Sequence, residues 1–111
     1  MAIVKNLIID QNSTFATEVT LYTKSKLFFD LTGYTATAQI RKAPTSLNPA
    51  ATFTIAVPQP ITGKLILQLT DEQTAAIKPG RYIYDIVVEN SLGQKYRALE
   101  GIVTITAAAT R

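Results

Sequence analysis

Between Arg81 and Glu89 the chain alternates. Tyr82, Tyr84, Ile86 and Val88 fall on one side, and Arg81, Ile83, Asp85, Val87 and Glu89 on the other. A period of two belongs to a β-strand with one face against a core; a helix would scatter these residues around its axis. The pattern recurs. In Tyr34 to Lys42, Tyr34, Ala36, Ala38 and Ile40 alternate with Thr35, Thr37, Gln39 and Arg41, and in Gly63 to Thr70 the residues Leu65, Leu67 and Leu69 share a face. A chain of 111 residues has room for one core, so strands of this kind restrict it to a single all-β domain.

The remaining segments fit that class. Sixteen Thr, twelve Ile and six Val supply β-branched side chains, which suit pleated, half-buried surfaces. Ile3 to Ile9 reads as a strand, followed by a turn at Asp10-Gln11-Asn12-Ser13. Thr14 to Tyr22 reads as another, with Phe15, Val19 and Leu21 inward. Thr23 to Lys26 is a turn, Leu27 to Leu31 a short apolar stretch broken by Thr32-Gly33, and Ala43 to Ala50 a loop. Thr52 to Val57 predicts a strand with Phe53, Ile55 and Val57 on one face, stopped by Pro58-Gln59-Pro60. The one helical signal is Asp71 to Ile77, capped by Thr70 and carrying Asp71 and Glu72 in its first turn. Asn90-Ser91-Leu92-Gly93 is a hairpin loop, and Gln94 to Thr106 a long strand. Within that strand Glu100-Gly101 signals a bulge or a close backbone approach. Met1 to Val4 and Ala107 to Arg111 are expected to be terminal arms, with little to bury in the domain's own core. The sum is seven to eight strands and one short helical turn, an immunoglobulin-like β-sandwich over residues 1–111.

One segment sharpens that expectation. Lys78-Pro79-Gly80-Arg81-Tyr82-Ile83-Tyr84 follows the helical turn and opens the strongest strand. Immunoglobulin-like sandwiches place a tyrosine at this corner, with its hydroxyl tied to backbone just upstream. Tyr82 is the candidate for that role, with Pro79 and Gly80 shaping the turn; Tyr84 stands where antibody domains carry a cysteine.

The chemistry available is narrow. There is no Cys and no His, which removes thiolate chemistry, the commonest general base and the commonest metal ligand. Asp71 and Glu72 are adjacent, and adjacent helical residues do not face one another. Asp10 and Asp30 sit beside turns and are read as backbone caps. Ser13, Ser25, Ser46 and Ser91 lie in turn-rich segments without a nucleophile's context, and no Gly-rich phosphate loop is present. No catalytic, cofactor-binding or metal-binding residue is therefore expected. The net charge is +3, but the eleven basic residues are scattered. Tyr96 between Lys95 and Arg97, with Tyr22, leaves a second reading open, a small β-barrel that binds single-stranded nucleic acid. No apolar run approaches the roughly 20 residues of a membrane span, and the N-terminus lacks a signal-peptide pattern, so no membrane partner is expected. Charged residues are only 17% of the chain, which leaves neutral surface to pack against neighbours.

Three stretches carry a family resemblance. They are Asp30-Leu31-Thr32-Gly33-Tyr34-Thr35-Ala36 with Ala38-Gln39-Ile40-Arg41-Lys42, Leu69 to Ile77 running into Pro79 to Asp85, and Leu99-Glu100-Gly101-Ile102-Val103-Thr104-Ile105-Thr106 with the terminal Thr110-Arg111. Together they resemble small virion proteins of tailed phages, whose similar domains form the immunoglobulin-like N-terminal part of baseplate upper proteins. The resemblance implies a non-enzymatic structural protein of a tailed bacteriophage virion, made in the host cytoplasm. Repeated copies would dock on other virion proteins of the tail, baseplate or capsid.

Overall fold

The computed structural model describes residues 3–22, 30–43 and 48–108. Nine strand segments appear among them: β1 (Ile3–Val4), β2 (Leu7–Asp10), β3 (Phe15–Thr20), β4 (Thr35–Arg41), β5 (Ala51–Thr52), β6 (Thr54–Ala56), β7 (Lys64–Leu69), β8 (Gly80–Glu89) and β9 (Lys95–Thr106). A helix, α1 (Asp71–Ala75), and a 3₁₀ turn at Pro60–Thr62 complete them. The expected turn at Thr23 to Lys26, most of the Leu27 to Leu31 stretch, Ser25, Ser46 and the last three residues lie outside the described residues.

The strands form two sheets. One runs β1-β9-β8-β4-β5, with β2 also on β9, and the other runs β3-β7-β6. The N-terminal strands lie parallel to the last strand, while the β3-β7, β4-β8, β6-β7 and β8-β9 pairs are antiparallel. This is an all-β sandwich with immunoglobulin-like connectivity, the helical turn joining β7 of one sheet to β8 of the other. The inward residues interdigitate as one core. Leu7, Ile9, Val19, Ile40, Leu65, Leu67, Ile86, Leu99 and Val103 are all buried in it.

Local chemistry accounts for the start of α1 and for the β8–β9 turn. The Thr70 hydroxyl accepts from the Gln73 N–H (3.2 Å) and the Gln73 side chain accepts from the Thr70 N–H (2.8 Å), a closed capping box that starts α1. Asn90 Oδ1 accepts from the Leu92 and Gln94 N–H groups, and Gly93 takes φ +81°, which closes the β8–β9 hairpin.

Two expected strands are divided. Thr52 to Val57 is not one strand. Ala51 and Thr52 pair with β4, the Phe53 N–H still donates to Ala38 (2.9 Å), and Thr54 to Ala56 pair with β7. The chain changes sheets at Phe53, whose ring packs 6.2 Å from Phe15 and 6.0 Å from Tyr84. Alternation does not reveal the crossing, because the inner faces of both sheets point into the same core. Ile3 to Ile9 is likewise split at Lys5-Asn6, and Ile3 and Val4 belong to the sheet through Leu99 and Glu100 rather than to a free arm.

Candidate interaction surface

The outer face of the six-stranded sheet is built from the residues that alternate away from the core. Register places Ile102, Ile83 and Arg41 in one row across β9, β8 and β4, and Glu100, Asp85 and Gln39 in the next. Arg97 joins this face through a bulge. Ile86 pairs with Leu99 and Val87 with Arg97, so Ala98 has no opposite residue. Strict alternation from the buried Leu99 would turn Arg97 inward; one extra residue turns it outward instead. Its guanidinium then meets Asp85 at 3.2 Å and Glu100 at 3.3 Å. Asp85 and Glu100 face each other as like charges, and Arg97 offsets their repulsion. The pairs are exposed, so each contributes little stability on its own.

A shallow groove of about 580 Å³ crosses this face from Val4 and Asn6 to Gln39 and Arg41. Exposed aliphatic side chains are conspicuous on the outer face as a whole. Val4 is 68% exposed, Ile8 70% and Ile102 39%. The Gln39 side chain accepts from Arg41 (2.8 Å).

Beneath the groove the N-terminal strand is pinned. The Lys5 N–H donates to Glu100 (2.9 Å), and the Tyr84 hydroxyl donates to the Lys5 carbonyl (2.6 Å). The Asn6 side chain accepts from the Ile102 N–H (3.0 Å), standing in for the backbone acceptor that the split removes. The Lys5 carbonyl occupies the space a Cβ on Gly101 would fill. Of the two readings of Gly101, close backbone approach is the one observed, while the bulge sits upstream at Ala98. Burial pushes the Tyr84 hydroxyl well above the ordinary tyrosine pKa.

The corner residues lie at the start of β8. The Tyr82 hydroxyl donates to the Lys78 carbonyl (2.8 Å), and the Lys42 ammonium lies 4.7 Å from the centre of its ring. Lys42 also donates to the Arg81 carbonyl (3.1 Å), and Gly80 takes φ +144°. Pro79 is exposed in the turn between α1 and β8.

Other singled-out residues disperse. Asp30 accepts from the Thr32 N–H (2.9 Å), and hydrogen bonding from Thr32 lowers its pKa. Asp10 does not cap the turn as expected; it ends β2 and accepts from the Thr106 hydroxyl (2.6 Å), an interstrand pair. Asp71 accepts from the adjacent Glu72 N–H (3.0 Å). Ser91 lies exposed in the hairpin loop. Ser13 is bound on both sides by the Thr74 hydroxyl, which donates to its carbonyl (2.9 Å) and accepts from its N–H (3.2 Å). Thr74 is completely buried and ties the β2–β3 turn to α1, a role that a helical threonine does not announce in sequence. Tyr22 and Tyr96 are half exposed. No group of three or more acidic side chains suited to a metal occurs among the described residues. No known protein family and no curated protein matches the chain.

Proposed function

We propose that this protein is a non-enzymatic structural component that works by docking, and that its setting is the virion of a tailed phage. The observation that supports docking best is the outer face of the six-stranded sheet. It combines exposed aliphatic side chains with charged side chains of both signs, as a surface made for a protein neighbour does. Asp30, Thr70 and Thr74 are engaged in caps and turns, Asp30 on Thr32, Thr70 on Gln73 and Thr74 on Ser13. The phage setting rests on the resemblance of Asp30 to Lys42, Leu69 to Asp85 and Leu99 to Thr106 to small virion proteins, with tail, baseplate or capsid proteins as partners.

Single-stranded nucleic-acid binding receives less support. Arg97, one of the two cations flanking Tyr96, is held between two carboxylates, and phosphate would have to displace them.

The test is the particle itself. Purified virions that encode this chain should contain it in a fixed, repeated copy number, read by quantitative mass spectrometry and located by cryo-EM. Removing residues 107–111, beyond the last ladder residue Thr106, tests whether the C-terminal arm makes the attachment: occupancy should fall while the melting temperature stays. Virions that lack the chain altogether would remove the reading. A salt-dependent isotherm with single-stranded DNA, lost in Tyr96→Ala, would put nucleic-acid binding in its place.

A further inference from the structure

We propose that the outer face of the six-stranded sheet is a self-association surface, on which a second copy of this chain packs about a two-fold axis. The argument comes from the register. Ile102, Ile83 and Arg41 form one row, and Glu100, Asp85 and Gln39 the row beside it. Strands lie roughly 4.8 Å apart and successive same-face residues roughly 6.7 Å apart along a strand. On that lattice, an axis lying in the face and passing obliquely between Ile83 and Ile102 does three things. It sets Ile83 against Ile102 of the second copy, within about 3 Å of direct opposition. It brings Arg41 onto Glu100 of the second copy, and Asp85 between Gln39 and Arg41. A two-fold interface must be self-complementary, and the rows of this face meet that condition in their chemistry, apolar on apolar and cation on anion.

The extent of the face fixes the kind of association. Four strands by eight residues cover on the order of 500 Å² per copy, or about 1,000 Å² in total. That is the lower limit for a specific interface and corresponds to a weak dimer that forms with rising concentration or when copies are held close in an assembly. The inference does not rest on the virion reading, because it concerns the isolated chain and is measured without particles.

Sedimentation velocity over a concentration series tests it. The unaltered chain should show a sedimentation coefficient that rises with concentration. Ile102→Glu, at an exposed position, should hold the monomer value throughout while its circular dichroism and melting curve stay native. Arg41→Glu and Glu100→Arg should each weaken association roughly tenfold or more, and the double reversal should restore it to within about threefold. Restoration is the decisive arm, since a merely structural role for either residue would add in the double variant. A chain that remains monomeric at every concentration overturns the proposal. So does association that survives Ile102→Glu, or a double reversal no better than the singles.

Discussion

Lys5 and Tyr84 are 79 residues apart in sequence and meet in one hydrogen bond, the tyrosine hydroxyl donating to the lysine carbonyl at 2.6 Å. The bond ties the N-terminal strand to the middle of β8, across β9. Tyr84 is buried and stacks edge-on against Phe53, at the point where the chain changes sheets. The hydroxyl bond stays within the six-stranded sheet, while the ring meets Phe53 where the chain crosses to the other. Tyr84→Phe keeps the ring and deletes the bond, and should cost about 1–3 kcal/mol because the Lys5 carbonyl loses its partner. The variant also changes the response to alkali. The folded-state pKa of Tyr84 is raised, so its contribution is fully present below the unfolded value near 10 and is lost as pH rises through the folded value. Chemical denaturation should show the unaltered chain losing stability above pH 10, by at most about 1.4 kcal/mol per pH unit from this group. Tyr84→Phe should have a shallower slope. Identical slopes would place the hydroxyl outside the core.

Gly101 is required by contact rather than by conformation. A Cβ built there falls 2.7 Å from the Lys5 carbonyl carbon and closer still to its oxygen. That neighbour is backbone and cannot rotate away. Gly101→Ala should cost about 1–3 kcal/mol as overpacking, and the loss should be local. Amide exchange at Lys5 and Ile102 should accelerate, while exchange in β3 and β7 follows global stability. A melting temperature equal to that of the unaltered chain would mean that the N-terminal strand lies elsewhere.

Thr74 is the buried polar residue among the described residues; its one hydroxyl proton is shared between the Ser13 and Asp71 carbonyls, and its oxygen accepts from the Ser13 N–H. Thr74→Val preserves the shape and strands those groups. The expected loss is about 1–3 kcal/mol, and Thr74→Ser, which keeps the hydroxyl, should recover most of it. Equal stability of the Val and Ser variants would show that water serves the Ser13 backbone as well as Thr74 does.

The strands that alternate cleanly are legible in sequence. Leu65, Leu67 and Leu69, and the series from Tyr82 to Val88, are buried as their period requires. Thr70 and Gln73 announce the start of α1 for the same reason, since a capping box is a local motif. What alternation does not carry is the identity of the sheet. Phe53 remains inward on either side of its crossing, so the switch leaves no mark in the pattern. The split at Lys5-Asn6 is hidden because both halves pair with β9 in the same direction. The face that carries the proposed docking is visible only in part. Ile83, Asp85 and Arg41 follow from their strands, but Arg97 reaches its carboxylates through a bulge at Ala98, where no glycine advertises it.

Tyr82 combines two contacts that one experiment can separate. Its hydroxyl donates to the Lys78 carbonyl, and its ring lies beneath the Lys42 ammonium. Tyr82→Phe removes only the first and should cost about 0.5–1.5 kcal/mol with the fold kept. Tyr82→Ala also opens a hole beside β8 and should cost about 3–5 kcal/mol. Lys42→Met keeps the stem and removes the charge. It should cost about 0.5–1 kcal/mol if the cation–π contact matters at this exposed site, together with the loss of a donor to the Arg81 carbonyl. A double-mutant cycle divides these terms. Lys42→Met should cost the same in the Tyr82→Phe background as in the native one, because phenylalanine preserves the ring face. It should cost measurably less in the Tyr82→Ala background. If the Lys42 effect is unchanged in both backgrounds, its role lies in the Arg81 carbonyl alone. A zero cost for Tyr82→Phe would mean that the corner is held by Pro79 and Gly80 without the hydroxyl.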